Sequence, residues 1–99
     1  MNFEIAPKET EIQATWDDAR LYCFSLNLGG KAGWRLPTKE ELTEIYICEN
    51  DFEKDWYWSS IEANRGSAWF QDMSNGGQTN GFKHYGGFYV RAIRDLKDN

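Results

Sequence analysis

The sequence predicts a single α+β domain, two helices followed by a twisted, mostly antiparallel sheet, and three observations carry that expectation. The chain has 99 residues, the size of one domain on the usual scale of roughly 100–200 residues each. Thr15 and Thr38 each open a stretch in which apolar residues recur at spacings of three and four, the period of a helix with one buried face. From Trp56 onward the text turns to short aromatic, extended runs separated by glycine, which is the signature of strands.

Taken in chain order, Asn2 to Ile12 sets Phe3, Ile5 and Ile12 among charges and Pro7, and is expected to form a short edge strand or two with a turn. Thr15 with Asp18 resembles a capping box, and Trp16, Ala19, Cys23 and Leu26 share a helical face, so a helix is expected from Trp16 to about Asn27, stopped by Gly29 and Gly30. A loop from Lys31 to Pro37 leads to a second capping box, Thr38 with Glu41, ahead of Leu42, Ile45, Tyr46 and Cys48. That predicts a helix from Lys39 to about Cys48. Strands are expected from Trp56 to Ile61, from Ser67 to Met73 and from Phe88 to Arg94. Ser74 to Gly87 holds five of the nine glycines and reads mainly as loop, with at most a short pairing around Thr79 to Lys83. Alternation in the first strand puts Trp56, Trp58 and Ser60 on one face and Tyr57, Ser59 and Ile61 on the other. Trp16, Trp34, Trp58 and Trp69 are expected in the core, which leaves Phe82 and Tyr85 as unassigned aromatics.

Composition narrows the function classes. With 40% hydrophobic residues, five Trp, five Tyr and six Phe, the chain carries too much apolar payload to be a disordered segment. No run approaches the roughly 18 apolar residues of a membrane span, and MNFEIAPKET lacks the basic-then-apolar pattern of a secretory signal, so a cytoplasmic location and no membrane partner are expected. Eleven Lys plus Arg against sixteen Asp plus Glu give a formal charge of -5, which disfavours direct nucleic-acid binding. The acid is concentrated: Glu40, Glu41, Glu44, Glu49, Asp51, Glu53 and Asp55 face only Lys54 in that stretch. Such a run serves as a solvated, solubilising face or as a patch for a basic partner. It lacks the turn glycine of a calcium loop. Cys23 and Cys48 form no CxxC pair and His84 is the single histidine, so no metal site is expected, and both cysteines read as small buried apolar residues of the helices.

In order, Thr15-Trp16-Asp17-Asp18-Ala19 with Cys23, Leu28-Gly29-Gly30, Trp34-Arg35-Leu36-Pro37-Thr38, Glu41-Leu42, Tyr57-Trp58-Ser59-Ser60, Ala68-Trp69, Asn75-Gly76 and Tyr89-Val90-Arg91 resemble the Lcl C-terminal domain family, named for a Legionella collagen-like adhesin. The resemblance covers roughly Thr15 to Asp95. It implies a C-type-lectin-like fold in which two helices flank a mixed, mostly antiparallel sheet and the first and last strands pair. Physically, Trp34 and Leu36 would fill the junction between the helices while Arg35 bonds loop carbonyls. Arg91 and Arg94 would pair with Asp72 or the acidic segment. Gln71 departs from the family, which tends to be apolar there, and lowers the expected burial of its strand. Family members usually sit in larger secreted or surface proteins, and the fold occurs in phage receptor-binding proteins and adhesins, so a phage or mobile-element origin fits a solitary domain.

The Glu-Pro-Asn and Trp-Asn-Asp stretches of calcium-dependent lectins are missing. So is the close cysteine pair by which the fold-sharing formylglycine-generating enzymes hold copper. With no nucleophile and base at catalytic spacing and no phosphate-cradling motif, the chain is expected to be a non-catalytic interaction module without a cofactor. Its partner would be a protein, or else a glycan, held through the glycine and aromatic loop 75–87 by Asn75, Gln78, Asn80, Phe82, His84 and Tyr85. The alternative expectation is a small acidic phage or mobile-element protein that inhibits a host nucleic-acid-binding or defence protein through segment 40–55, with Glu44, Glu49, Asp51 and Glu53 as its contacts. Oligomeric state is left open by these residues.

Overall fold

In the computed structural model, which describes residues 1–96, both helices start at the predicted threonines. Helix α1 spans Trp16–Ser25, and Thr15 Oγ1 accepts the Asp18 N–H at 3.3 Å. Helix α2 spans Lys39–Cys48 and has the full capping box: Thr38 accepts the Glu41 N–H at 3.2 Å while Glu41 Oε1 accepts the Thr38 N–H at 2.8 Å. Each such cap is worth about 1 kcal/mol of helix stability. Helix α1 ends earlier than expected, because Leu26 is already extended. Gly29 and Gly30 do not cap it. They are the central residues of a tight turn closed by two 3.0 Å bonds between Leu28 and Lys31, with φ of +59° and +82° that only glycine adopts readily in succession.

The strands are β1 Phe3–Ile5, β2 Ile12–Gln13, β3 Trp34–Arg35, β4 Trp56–Asn64, β5 Ser67–Asp72, β6 Gln78–Phe82, β7 Tyr89–Val90 and β8 Ile93–Asp95. They form two sheets instead of one, ordered β1-β8-β3 and β2-β7-β4-β5-β6, antiparallel except for the β4–β7 pair. The first and last strands pair, Glu4 opposite Arg94. Two expectations are corrected here. Gln78–Phe82 is a five-residue strand in continuous register with β5, not a loop. The run from Phe88 to Arg94 is broken at Arg91 and Ala92, so that β7 serves one sheet and β8 the other.

An enclosed ion pair sits at the break. The Arg91 side chain is 3% exposed, and its Nε donates to the Ala6 carbonyl at 2.6 Å, Nη1 to Glu11 at 3.0 Å and Nη2 to Asp51 at 2.8 Å. A guanidinium so enclosed is tolerated only because its donors are matched in this way. Arg94 pairs with Glu4, not with Asp72 or the acidic segment. Arg35 makes a bidentate pair with Glu41, both bonds 2.8 Å, and reaches Asp95 at 2.7 Å, so the Trp-Arg-Leu-Pro-Thr run fastens the start of α2 to the last strand.

Helices α1 and α2 cover opposite faces of β4. Trp58 packs with Trp16, Cys23, Trp34, Leu36, Phe70, Phe88 and Val90 on one side, and Tyr57 with Phe3, Leu42, Ile45, Met73 and Ile93 on the other. The indole N–H groups of Trp16, Trp34 and Trp58 donate to the carbonyls of Ser59, Lys31 and Ala14, which satisfies each buried donor. Trp69 is only half-buried, with Lys39 Nζ 3.6 Å above its ring, because its strand position faces the α2 start and not the core. Cys23 is buried, and burial pushes its thiol up to about 12; Cys48 is exposed, since α2 buries Leu42 and Ile45 and ends at Cys48.

Gln71 is fully buried, which corrects the expectation that its presence loosens the strand. Its Nε2 donates to the Leu42 carbonyl at 2.7 Å and its Oε1 accepts from Gln78 Nε2 at 2.6 Å, tying α2, β5 and β6 together. Gln71→Leu is therefore expected to destabilise the fold by about 1–3 kcal/mol in urea denaturation, despite its greater hydrophobicity, because it strands those partners. A second outcome concerns acid. The Arg35 guanidinium, then the Thr38 backbone N–H, hold the Glu41 carboxyl below its usual value. Its stabilising contribution is present above the unfolded value of about 4.3 and is lost as pH falls through the lower folded value. Thermal melts of Glu41→Gln should show a shallower loss of stability than the parent between about pH 5 and pH 3.

Candidate functional site

The register of β4, β5 and β6 sorts the candidate residues onto two faces. Trp58 opposite Phe70, Trp56 opposite Asp72, Phe70 opposite Thr79 and Ala68 opposite Gly81 lie on the α1 side. Gln71 opposite Gln78, Trp69 opposite Asn80 and Ser67 opposite Phe82 lie on the other. The six residues predicted from the 75–87 segment therefore do not converge on one surface.

On the second face, Gln78 is consumed by structure, its amide donating to the Lys39 carbonyl at 2.7 Å as well as to Gln71. Asn80 is exposed on β6. Phe82 is 67% exposed and stacks on His84 with ring centroids 5.6 Å apart. Its exposure is consistent with its position, since β6 is the edge strand of the five-stranded sheet and Phe82 is its last residue.

The first face holds a groove of about 380 Å³ lined by Trp56, Phe70, Asp72, Asn75, Gly77, Gln78 and Thr79. Trp56 is 41% exposed yet held in place: its ring meets Phe70 and, edge-on, Phe88, both at 5.4 Å. Phe88 links it to Tyr85, which is 51% exposed and packs edge-to-face on Phe88 at 4.7 Å. The glycines here are docking places for rings more than hinges. A Cβ on Gly81 would stand 3.1 Å from a Phe70 carbon and 3.3 Å from one of Phe88, and a Cβ on Gly87 would come within 2.8 Å of the Tyr85 hydroxyl. At the rim, Asn75 Oδ1 accepts the Gly77 N–H at 2.8 Å. Asp72 accepts both the hydroxyl and the N–H of Ser74, at 2.6 and 2.9 Å, and these bonds, with a smaller share from the Trp56 indole, hold its carboxyl below the usual range.

Of the six residues expected from the sequence, Asn75 and Gln78 line this groove and Tyr85 lies beside it through Phe88, whereas Trp56, Asp72 and Thr79, which also line it, were not among the six. The available signal was the alternation itself: a tryptophan two residues before the core Trp58, at the outer end of the strand, shares the face of Trp58 without its depth.

The acidic segment looks different in three dimensions. Glu44 pairs with the Met1 amino group at 3.5 Å, Asp51 with Arg91 and Glu53 with Lys8 at 2.7 Å, while Glu49 has no ion-pair partner among the described residues. No group of three or more His, Cys, Asp or Glu among the described residues is arranged to hold a metal ion. No described helix is long and apolar enough to cross a membrane.

A comparison with curated proteins gives no match to this chain. A family model, the Lcl C-terminal domain, matches residues 4–94 and so takes in β1 and β2 as well as the motifs from Thr15 onward. That assignment is compatible with a non-catalytic binding module. From the second residue of its first strand to the second residue of its last, the chain belongs to the Lcl C-terminal domain family.

Proposed function

We propose that this protein is a non-catalytic binding module that takes a protein or glycan ligand in the groove between Trp56 and the Asn75 to Thr79 rim, with Tyr85 beside it. The observation that carries this reading is Trp56, a large aromatic left 41% exposed although its neighbours immobilise it. Exposed aromatics cost solubility and are common where a partner supplies the missing cover. Immobilisation lowers the entropy lost on binding, so a ligand meets a surface already in shape. Family membership supports the same class of function. Among the described residues, Asp72 is the one charged residue lining the groove, which argues against a nucleic-acid backbone as the partner.

The acidic segment supports the rival inhibitor reading less well, because Glu44, Asp51 and Glu53 already answer cations of the same chain. Ligands selected from a glycan array and a random-peptide display library separate the surfaces. The double variant Trp56→Ala/Tyr85→Ala should lose binding by tenfold or more while circular dichroism and melting show a folded protein. Phe82→Ala/His84→Ala and a variant neutralised at Glu44, Glu49 and Glu53, which leaves the Asp51 acceptor of the enclosed Arg91 in place, should each bind within about threefold of the parent. Full binding by a folded Trp56→Ala/Tyr85→Ala variant would overturn the reading.

A further inference from the structure

We infer that strand β6 pairs with β6 of a second copy of this chain, antiparallel about a two-fold axis at Asn80, so that two five-stranded sheets join into one. The inference stands apart from the identity of any ligand.

The backbone of β6 supplies the first argument. The Asp72 N–H donates to the Gly77 carbonyl at 2.8 Å and the Lys83 N–H to the Gly66 carbonyl at 2.9 Å, in the register that pairs Ser67 with Phe82 and Gln71 with Gln78. Bonded residues alternate along an antiparallel pair, so Thr79 and Gly81 turn their backbone groups to β5, and Gln78, Asn80 and Phe82 turn theirs outward. The Phe82 carbonyl accepts the Tyr85 N–H at 3.1 Å. The remaining outward groups fit a copy of the same strand. About a two-fold at Asn80, the two Asn80 residues exchange N–H and carbonyl bonds, and each Phe82 N–H meets the Gln78 carbonyl of the other copy.

The second argument is that this edge is unguarded. Exposed edges are normally blunted by charge, proline, a bulge or shortness. Strand β1 carries Glu4 at its centre, and β2 and β3 are two residues long, β3 with Arg35. Strand β6 has five residues with neither charge nor proline, and its register with β5 is unbroken. In the pairing, exposed Phe82 lies across from Gln78 of the other copy and Thr79 from Gly81, each pair on one face.

Charge selects a second copy as the occupant. At one end of β6 stands Asp72, bonded by Ser74 and without a cation among the described residues. At the other end Arg65 and Lys83 line one hollow; Lys83 pairs with Glu62, while Arg65 has no ion-pair partner among the described residues. Antiparallel pairing sets the basic end of each copy beside the acidic end of the other, and a two-fold satisfies both ends at once. The neutral middle keeps like charges apart although each copy carries a formal charge of -5. The axis stands perpendicular to the joined sheet, so both Trp56 grooves open on one side of it, about 30 Å apart by strand spacing and rise. A ligand with two sites would engage both.

Sedimentation equilibrium of the full chain from about 10 µM to about 1 mM should show a monomer–dimer equilibrium, with the Asn80 and Phe82 amides exchanging severalfold more slowly at the concentrated end. Asn80→Lys sets like charges across the axis, and Asn80→Pro removes an outward N–H without touching a bond to β5. Each should raise the dissociation constant at least tenfold while circular dichroism keeps the spectrum of the parent. Glu40→Gln, an equal change of net charge at an exposed position on α2, should leave the dimer unchanged. The inference is overturned if the chain stays monomeric at about 1 mM, if a folded Asn80→Lys variant dimerises like the parent, or if a dimer forms while the Asn80 and Phe82 amides exchange as in the monomer. Should neither variant fold, amide exchange in the parent decides alone. A monomeric chain that binds ligand at Trp56 overturns the pairing and leaves the binding-module reading standing.

Discussion

Period-two alternation along β4 is the constraint from which the rest of the architecture follows. Successive side chains of a strand point to opposite faces, so burying both Tyr57 and Trp58 requires a covering layer on each side, and α1 and α2 supply one each. Trp58 reaches zero exposure with its indole N–H on the Ala14 carbonyl, and Tyr57 is 1% exposed with its hydroxyl donating to Glu11 at 2.8 Å. Once Trp58 is anchored, Trp56 must emerge on the same face one step farther out, beyond the cover of α1. The exposed ring of the candidate site is thus a geometric consequence of the buried one.

Charge does structural work around that scaffold. The net charge of -5 suggests a repulsive surface, but the acidic side chains are distributed against the few cations. Arg91 joins the chain before α1 to the segment after α2, and Arg35 joins α2 to β8. The Arg91 pair with Glu11 is enclosed, so its gain depends on every donor being met; the pairs at Glu53 and Glu44 are open to solvent and individually worth little. Gln71 plays the neutral counterpart of this role. A buried amide between helix and edge strand specifies one arrangement of α2, β5 and β6, which fixes the groove rim relative to its floor.

What was legible in the sequence is what depends on neighbours within a few residues. The second helix was readable to its ends because Thr38 and Glu41 satisfy each other three positions apart, and the faces of Tyr57 and Trp58 because alternation is local. The errors share a cause. Gln78–Phe82 sits in the glycine-rich stretch from Ser74 to Gly87 that reads mainly as loop, yet it is a strand because β5 offers a full ladder and because rings from elsewhere occupy the space above Gly81. Trp69 reads as core, yet its depth depends on whether Lys39 or an apolar side chain stands opposite. Around the candidate groove, Asn75, Gln78 and Tyr85 were legible as residue types suited to contact, while Trp56 was one of five tryptophans with nothing local to set it apart.

The sequence by itself determined the α+β class, the helix starts, the face assignment of β4 and membership of one family, since each is written in short-range spacing or in the order of motifs. Only the tertiary structure decided that there are two sheets, that the last run divides at Arg91, that the acidic segment is largely paired within the fold, and which aromatics stay exposed. Those outcomes rest on partners far apart in sequence, such as Arg91 with Asp51, 40 positions away, and with Ala6, 85 positions away, and no local pattern encodes which distant group will arrive. The surplus of aromatics was evident from composition alone. That one of them forms a fixed wall beside unspent hydrogen-bonding groups is a property of the folded chain.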